Sequence, residues 1–75
     1  MKERFNQIIM EVFEIDTIDE AMTRENTEKW DSLLHLTLVT AIEDTFDIML
    51  DTEDLLNLNS YASGLEIVAK YCTEE

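Results

Sequence analysis

Proline is absent from the sequence, and glycine occurs only once, at Gly64. Tight turns between strands depend on these two residue types, so their scarcity argues against a β-rich fold and favours helices joined by polar loops. Cysteine also occurs once, at Cys72, which excludes an internal disulfide and a zinc site built from cysteines. The first residues contain no long apolar run, so we expect neither a signal peptide nor a transmembrane helix, and we expect a cytoplasmic protein.

Positive charge is also scarce. Lys and Arg number 5 against 18 Asp and Glu, which gives a net charge of −13, and residues 30–69 contain neither Lys nor Arg. Phosphate backbones and anionic lipid surfaces repel such a protein, so we expect it to bind neither nucleic acid nor membranes. The natural complement is a partner protein with a basic surface.

Apolar residues, by contrast, are plentiful. They make up 45% of the 75 residues, which is too many for a disordered acidic tail. A chain of this length forms one small domain with a thin core, here residues 1–75. We expect a monomer, and no internal repeat stands out.

The spacing of apolar residues predicts an all-α bundle of three principal helices and one short helix. The first helix is predicted from Lys2 to Glu14. The second is predicted from Ser32 to Asp47, with a single core stripe. That stripe consists of Leu33, Leu36, Val39, Ile42 and Phe46.

Two further helices are predicted in the last third of the chain. Asp51 or Thr52 caps the short one, and Asn59 or Ser60 caps the last one. The inward face of the last helix is formed by Tyr61, Leu65, Val68 and Cys72.

Residues 15–30 form one long polar connection, which is unusual in so small a domain. Thr17 and Glu20 have the spacing of a capping box, which predicts a turn of helix there. Trp30, at the end of the connection, is expected to anchor it on the bundle. The alternative for Trp30 is contact with a partner or with a group attached nearby, since exposed tryptophans often anchor interfaces.

Ser32 is the leading candidate for chemistry because of its position at the start of the second helix. Main-chain N–H groups in the first turn of a helix lack intrahelical partners, and the helix dipole is positive there. Both effects would favour a phosphate ester on the serine oxygen. The plainer alternative is a serine that only caps the helix.

The neighbours of Ser32 extend this pattern. The segment Asp31-Ser32-Leu33 heads a helix that continues to Ala41-Ile42-Glu43-Asp44 and Phe46, and the acidic segment from Asp51 to Leu56 follows. Over essentially the whole chain, this arrangement resembles the acyl carrier protein family. The resemblance implies an acyl-carrier-like four-helix bundle in which Ser32 receives 4′-phosphopantetheine from coenzyme A. Such a carrier has no catalytic activity of its own and holds its cargo as a thioester on the thiol of the arm.

The same resemblance implies the partners. They are a phosphopantetheinyl transferase, an enzyme that loads an acyl or aminoacyl group, and downstream biosynthetic enzymes with basic docking surfaces. Asp31 would help to position the metal or the basic groups of the transferase. The residues implied in partner recognition are Asp31, Leu33, Leu36, Glu43 and Asp44.

The chain departs from the family pattern in the first half of the second helix. Leu34 and Thr37 stand where an acidic residue is common, and Leu34, Leu38 and Ala41 form a second apolar strip. This strip either packs against the long loop or offers a less electrostatic docking face. The departure favours a specialised pathway over general fatty-acid synthesis. Examples are modification of a polysaccharide, a polyketide-like product, or an activated amino acid or small acid.

The sequence also allows other interpretations. An acidic helical interaction module that binds a basic partner without a prosthetic group is the main alternative. His35, one turn after Ser32, invites comparison with a serine hydrolase, but no glycine-rich elbow surrounds the serine, so we favour a solvated or loop-contacting histidine. The acids of residues 43–54 lack the glycine of a calcium loop, which favours a solvated acidic face or a footprint for a basic partner. Cys72 is expected to be a small apolar residue of the last helix.

Overall fold

A computed structural model describes residues 2–71 of the chain. Four helices follow one another along these residues: α1 (Lys2–Phe13), α2 (Ser32–Phe46), α3 (Thr52–Asn57) and α4 (Tyr61–Tyr71). The predicted all-α architecture of three principal helices and one short helix is therefore confirmed. Within residues 2–71, no helix has the length and apolar character needed to cross a membrane. Cys72, predicted on the last helix, lies outside the described residues.

The two longest helices end in the same way. Glu14 and Asp47 adopt left-handed backbone conformations, with φ of 58° and 55°. One residue later, the N–H of Ile15 donates to the Met10 carbonyl and the N–H of Ile48 donates to the Glu43 carbonyl. These bonds are the long-range bonds of Schellman motifs, which satisfy carbonyls that a helix end leaves free. Each helix stops one residue before its predicted end because the left-handed residue cannot continue it.

The core lies between α1 and α2 and is closed by α4. The completely buried large side chains come from three helices and from the α3–α4 connection. They are Phe5, Phe13, Ile9, Leu38, Ile42, Leu58 and Val68. Gly64 allows α4 to approach Phe5 of α1 and Leu58 closely, because a Cβ at this position would lie 2.9 Å from Leu58 Cδ1 and 2.9 Å from Phe5 Cζ.

The predicted core stripe of α2 is wrong at its first two positions. Leu33 is 75% exposed and Leu36 is 64% exposed, whereas Val39 and Ile42 are buried. The reason is geometric: at 3.6 residues per turn, each three-residue step rotates about 60° around the helix. Three such steps from Leu33 to Ile42 reach about the opposite side of the helix, so these residues cannot share one face.

The second apolar strip of α2 lies on the core side instead. Leu38 is completely buried, and Leu34 and Ala41 are partly buried against the core. The observed positions favour packing over a docking face for this strip.

The connection between α1 and α2 contains no helix. The turn of helix predicted at Thr17–Glu20 is wrong: Asp19 instead forms the turn, with its carboxylate accepting the Ala21 N–H at 3.0 Å and its carbonyl accepting the Met22 N–H at 3.1 Å. Asp side chains favour such local turns over a helix start when no amphipathic stretch follows.

Side chains and main chain both fasten this connection to the bundle. Met22 and Trp30 are buried. The Arg24 N–H donates to the Asn59 carbonyl at 2.8 Å, and the Tyr61 N–H donates to the Met22 carbonyl at 2.9 Å. The loop is thus tied to the beginning of α4 as well as to the core.

The two short segments after residue 50 are capped as expected. The Asp51 carboxylate accepts the Asp54 N–H at 2.9 Å at the start of α3, and the Ser60 hydroxyl accepts the Ser63 N–H at 3.0 Å at the start of α4. Asp54 is buried and binds Lys70 Nζ at 2.7 Å and the Tyr71 hydroxyl. Hydrogen bonds from these two groups of α4 hold the pKa of Asp54 below its usual value. This cluster joins α3 to α4.

Candidate modification site at the start of α2

Asp31, and not Ser32, is the N-cap of α2. Its backbone is extended, its carboxylate Oδ1 accepts the Leu34 N–H at 2.9 Å, and its carbonyl accepts the His35 N–H at 2.9 Å. The plain capping role considered for Ser32 is therefore wrong. A carboxylate at the positive end of the helix dipole makes a favourable cap, and it frees the neighbouring serine from that task.

Ser32 is the first helical residue, and its side chain is exposed. Its hydroxyl forms no hydrogen bond with any group of residues 2–71, in contrast to the serines at the start of α4. The N–H groups in the first turn of a helix have no acceptor within the helix. In α2, the side chain of the cap accepts only one of them, the N–H of Leu34. The site thus offers a free hydroxyl beside main-chain donors that suit an anionic substituent.

The outward face of α2 continues from Ser32 as an uncharged surface. Leu33, Leu36, Thr37 and Thr40 are all exposed, and the first exposed acid on this helix is Asp44. The side of the helix beyond its first turn forms an open groove of about 450 Å³. It is lined by Leu36, Thr37, Thr40, Ala41 and Asp44. We define the docking face as Leu33, Leu36, Thr37, Thr40 and Asp44.

The two acids predicted for partner recognition occupy different environments. Asp44 is exposed. Glu43 is only partly exposed, and its Oε2 accepts the Leu50 N–H at 2.9 Å. Glu43 therefore supports the connection between α2 and α3, whereas Asp44 points its charge to solvent.

His35 is a central contact between three elements. Its Nδ1 accepts the Trp30 Nε1–H at 3.0 Å, and its Nε2 lies 3.3 Å from the Leu55 carbonyl oxygen of α3. Burial lowers the pKa of His35, the Leu55 carbonyl opposes this, and the positive charge of Arg24 adds to the lowering. Both ring nitrogens are engaged away from Ser32, so these residues do not form the hydrogen-bonded pair of a serine hydrolase.

Trp30 anchors the long connection, as its position in the sequence indicated. Its ring is 3% exposed and meets the Phe13 ring edge-to-face, with centroids 5.2 Å apart. Its hydrogen bond to His35 was not foreseen. The signal available in the sequence was a lone tryptophan five residues before a lone histidine, at a boundary where the chain enters a helix.

Within residues 2–71, no group of three or more His, Cys, Asp or Glu side chains could hold a metal ion. Two further exposed apolar side chains lie outside α2, and the sequence pattern does not predict them as site residues: Met49 is 84% exposed and Leu56 is 76% exposed.

Comparisons of the chain with protein-family models, curated proteins and solved structures found no match.

Proposed function

We propose that this protein is an acyl or aminoacyl carrier, modified at Ser32 with 4′-phosphopantetheine and operating in a specialised biosynthetic pathway. The observation that carries the proposal is the free, exposed hydroxyl of Ser32 at the first position of a 15-residue helix whose cap is supplied by Asp31. The arm, when attached, supplies a terminal thiol that holds the cargo as a thioester. The carrier itself performs no bond chemistry on that cargo.

The residues around Ser32 suit the attachment step. A transferase removes the hydroxyl proton and the Ser32 oxygen forms a phosphoester bond. The phosphoanhydride bond of coenzyme A breaks, and adenosine 3′,5′-bisphosphate leaves. Asp31 Oδ1 is occupied by the Leu34 N–H, and Oδ2 has no hydrogen-bond partner among residues 2–71. Asp31 can therefore present one oxygen to a metal ion or a basic group of the transferase while it keeps the helix capped.

The docking face suits a partner that is apolar in the middle and basic at one end. Leu33 and Leu36 supply exposed apolar area directly after Ser32, and Asp44 supplies a negative charge three turns along α2. Buried apolar anchors dominate the affinity of most interfaces, and charges at the rim mainly affect encounter rates. A transferase, a loading enzyme and later enzymes would share this face, which lies beside the modified residue.

An acidic interaction module without a prosthetic group is the second candidate. The observation in its favour is the number of large apolar side chains that the described residues leave exposed. These are Leu33, Leu36, Met49 and Leu56. Such side chains are suited to a protein interface whether or not Ser32 is modified.

Intact-mass spectrometry separates the two candidates. The protein is incubated with coenzyme A, magnesium and a broad-range phosphopantetheinyl transferase. We expect the mass to increase by one phosphopantetheine, and Ser32→Ala to abolish the increase without loss of helical circular dichroism. Ser60→Ala removes a serine hydroxyl at the start of another helix and should leave the modification in place. No increase in the wild-type protein with several transferases would favour the interaction module.

A further inference from the structure

The contacts of His35 define a chain of hydrogen bonds across three elements. The Trp30 indole nitrogen is only a donor, so His35 Nδ1, at 3.0 Å, must accept. The proton of the neutral imidazole is then on Nε2, which donates to the Leu55 carbonyl at 3.3 Å. Leu55 lies in the last turn of α3, where carbonyls lack intrahelical partners. A single tautomer of the neutral ring therefore satisfies both neighbours.

We infer that Trp30, His35 and Leu55 form a pH-sensitive clasp that fastens the 15–30 connection and α3 to the start of α2, and that protonation of His35 opens it beside Ser32. The inference adds a regulatory element to the site of the proposed function. Its test uses the unmodified protein, so its outcome is independent of whether Ser32 carries an arm.

Protonation changes the hydrogen-bonding capacity of the ring. Imidazolium has two N–H donors and no acceptor, so a proton on Nδ1 of His35 would face the indole N–H of Trp30. Trp30 is 3% exposed, and a buried donor that loses its acceptor is destabilising. The bond to the Leu55 carbonyl would be retained and strengthened by the charge. It does not offset the repulsion between the two N–H groups that then face each other, Trp30 Nε1–H and His35 Nδ1–H.

The charged groups around the clasp also disfavour the protonated form of His35. From the long connection, Arg24 disfavours a positive charge on His35. From α2, Asp31 lies one turn before His35, with Oδ1 bound to the Leu34 N–H and Oδ2 without a hydrogen-bond partner among residues 2–71. From α3, the ring meets the Leu55 carbonyl, while the buried acid Asp54 is bound to side chains of α4. The imidazole nitrogens of His35 contact Trp30 and Leu55, and no carboxylate is among the groups that raise its pKa.

Opening the clasp would have its main effect on the 15–30 connection, because the bond from His35 to the Leu55 carbonyl is retained. Trp30 is the buried end of this connection and lies two residues before Ser32. Its indole ring meets the Phe13 ring edge-to-face. Release of Trp30 would therefore uncover Phe13 and loosen the chain that leads into the modified residue.

The linkage to stability has a defined sign. Burial holds the pKa of His35 in the folded chain below 6.5, the value expected in the unfolded chain. The unfolded chain therefore binds the proton first as the pH falls. The contribution of His35 to the free energy of unfolding is complete above pH 6.5. It decreases as the pH falls from 6.5 towards the pKa of His35 in the folded chain.

The chain allows an unambiguous test, because Trp30 is its only tryptophan and His35 its only histidine. NMR would follow the indole N–H and imidazole resonances of the full chain from pH 8 to pH 5, together with hydrogen exchange of the Trp30 and Asp31 amides, which donate to the Thr27 and Lys29 carbonyls. We expect one transition with a midpoint below pH 6.5 in both resonances, and exchange of these two amides at least several-fold faster below it, after correction for the intrinsic pH dependence of exchange.

Two variants serve as controls. His35→Asn places an oxygen near the position of Nδ1, so it can accept from Trp30 but does not titrate, and it should remove the transition. Trp30→Phe removes the donor, and the pKa of His35 should rise towards 6.5. An unchanged His35 pKa in Trp30→Phe, a persistent transition in His35→Asn, or exchange of the Trp30 and Asp31 amides that does not follow His35 protonation would each overturn the clasp.

Discussion

The starts of α2 and α4 both carry serine, and they use it in opposite ways. At α4, the Ser60 hydroxyl accepts the Ser63 N–H at 3.0 Å, and the Ser63 hydroxyl accepts the Ser60 N–H at 3.1 Å. At α2, Asp31 caps the helix and the Ser32 hydroxyl is left free. A shift of one position, from the cap to the first helical residue, thus separates a serine that caps its helix from one whose hydroxyl is exposed and unbonded.

The residues that follow the two serines also differ, because one is buried and the other is exposed. Ser60 lies next to Tyr61, which is buried against Phe5 with ring centroids 5.4 Å apart. Ser32 is followed by Leu33, which is 75% exposed. The start of α4 is built into the core, while the start of α2 faces solvent. Substitutions at the two places should therefore have different consequences for stability and for modification.

The largest effect on stability is expected one turn into α4. In Gly64→Val, the new side chain would collide with Leu58 and Phe5, since even a Cβ would lie 2.9 Å from each. Overpacking of this kind should lower the free energy of unfolding by about 2–3 kcal/mol. Urea denaturation followed by circular dichroism measures it. A loss below about 0.5 kcal/mol would contradict the tight approach between α1 and α4.

A smaller loss is expected when either cap is removed. Asp31→Ala and Ser60→Ala should each lower the free energy of unfolding by about 1 kcal/mol, because each leaves main-chain donors without a partner. Only Asp31→Ala should also slow the modification of Ser32 by the transferase. Equal modification rates in the two variants, measured where both are fully folded, would contradict a role for Asp31 beyond capping.

The smallest effect on stability is expected at Asp44. Asp44→Lys should leave the free energy of unfolding within about 0.5 kcal/mol of the wild-type value, since the residue is exposed. It should nevertheless slow the modification several-fold at low salt, because it reverses the charge of the docking face.

Glu43 provides the matched control for Asp44. Glu43→Ala removes the acceptor of the Leu50 N–H and should cost about 1 kcal/mol of stability. If Asp44→Lys changed stability and left the modification rate unaltered, it would be wrong to treat Asp44 as a surface charge for partners and Glu43 as a structural acceptor.

Much of the fold follows from local sequence. The apolar spacing in α1 and the polar residues before α2, α3 and α4 predict these helices to within a residue or two, because periodicity and capping are local properties. The inward face of α2 was harder to predict. Apolar residues at three-residue steps from Leu33 look like a core stripe in the sequence. By Ile42, however, they have moved halfway around the helix.

The candidate site was only partly predictable. The position of Ser32 followed from the sequence, because the transition from a polar loop to an amphipathic helix is a local signal. The contacts of Glu43 with Leu50 and of His35 with Trp30 and Leu55 depend on how turns and helices pack in three dimensions. Spacing along the chain does not encode such contacts, so the acids and the histidine could not be sorted by role in advance.

The most direct measurement locates the added group on the wild-type protein after reaction with coenzyme A and transferase. Trypsin cannot do this, because residues 30–69 contain no Lys or Arg and all three serines would remain on one peptide. Cleavage after glutamate separates them, since residues 29–43 contain only Ser32 and residues 54–66 contain Ser60 and Ser63. We expect the mass of one phosphopantetheine on the 29–43 peptide, at Ser32. The same mass on the 54–66 peptide, or on neither, would contradict it.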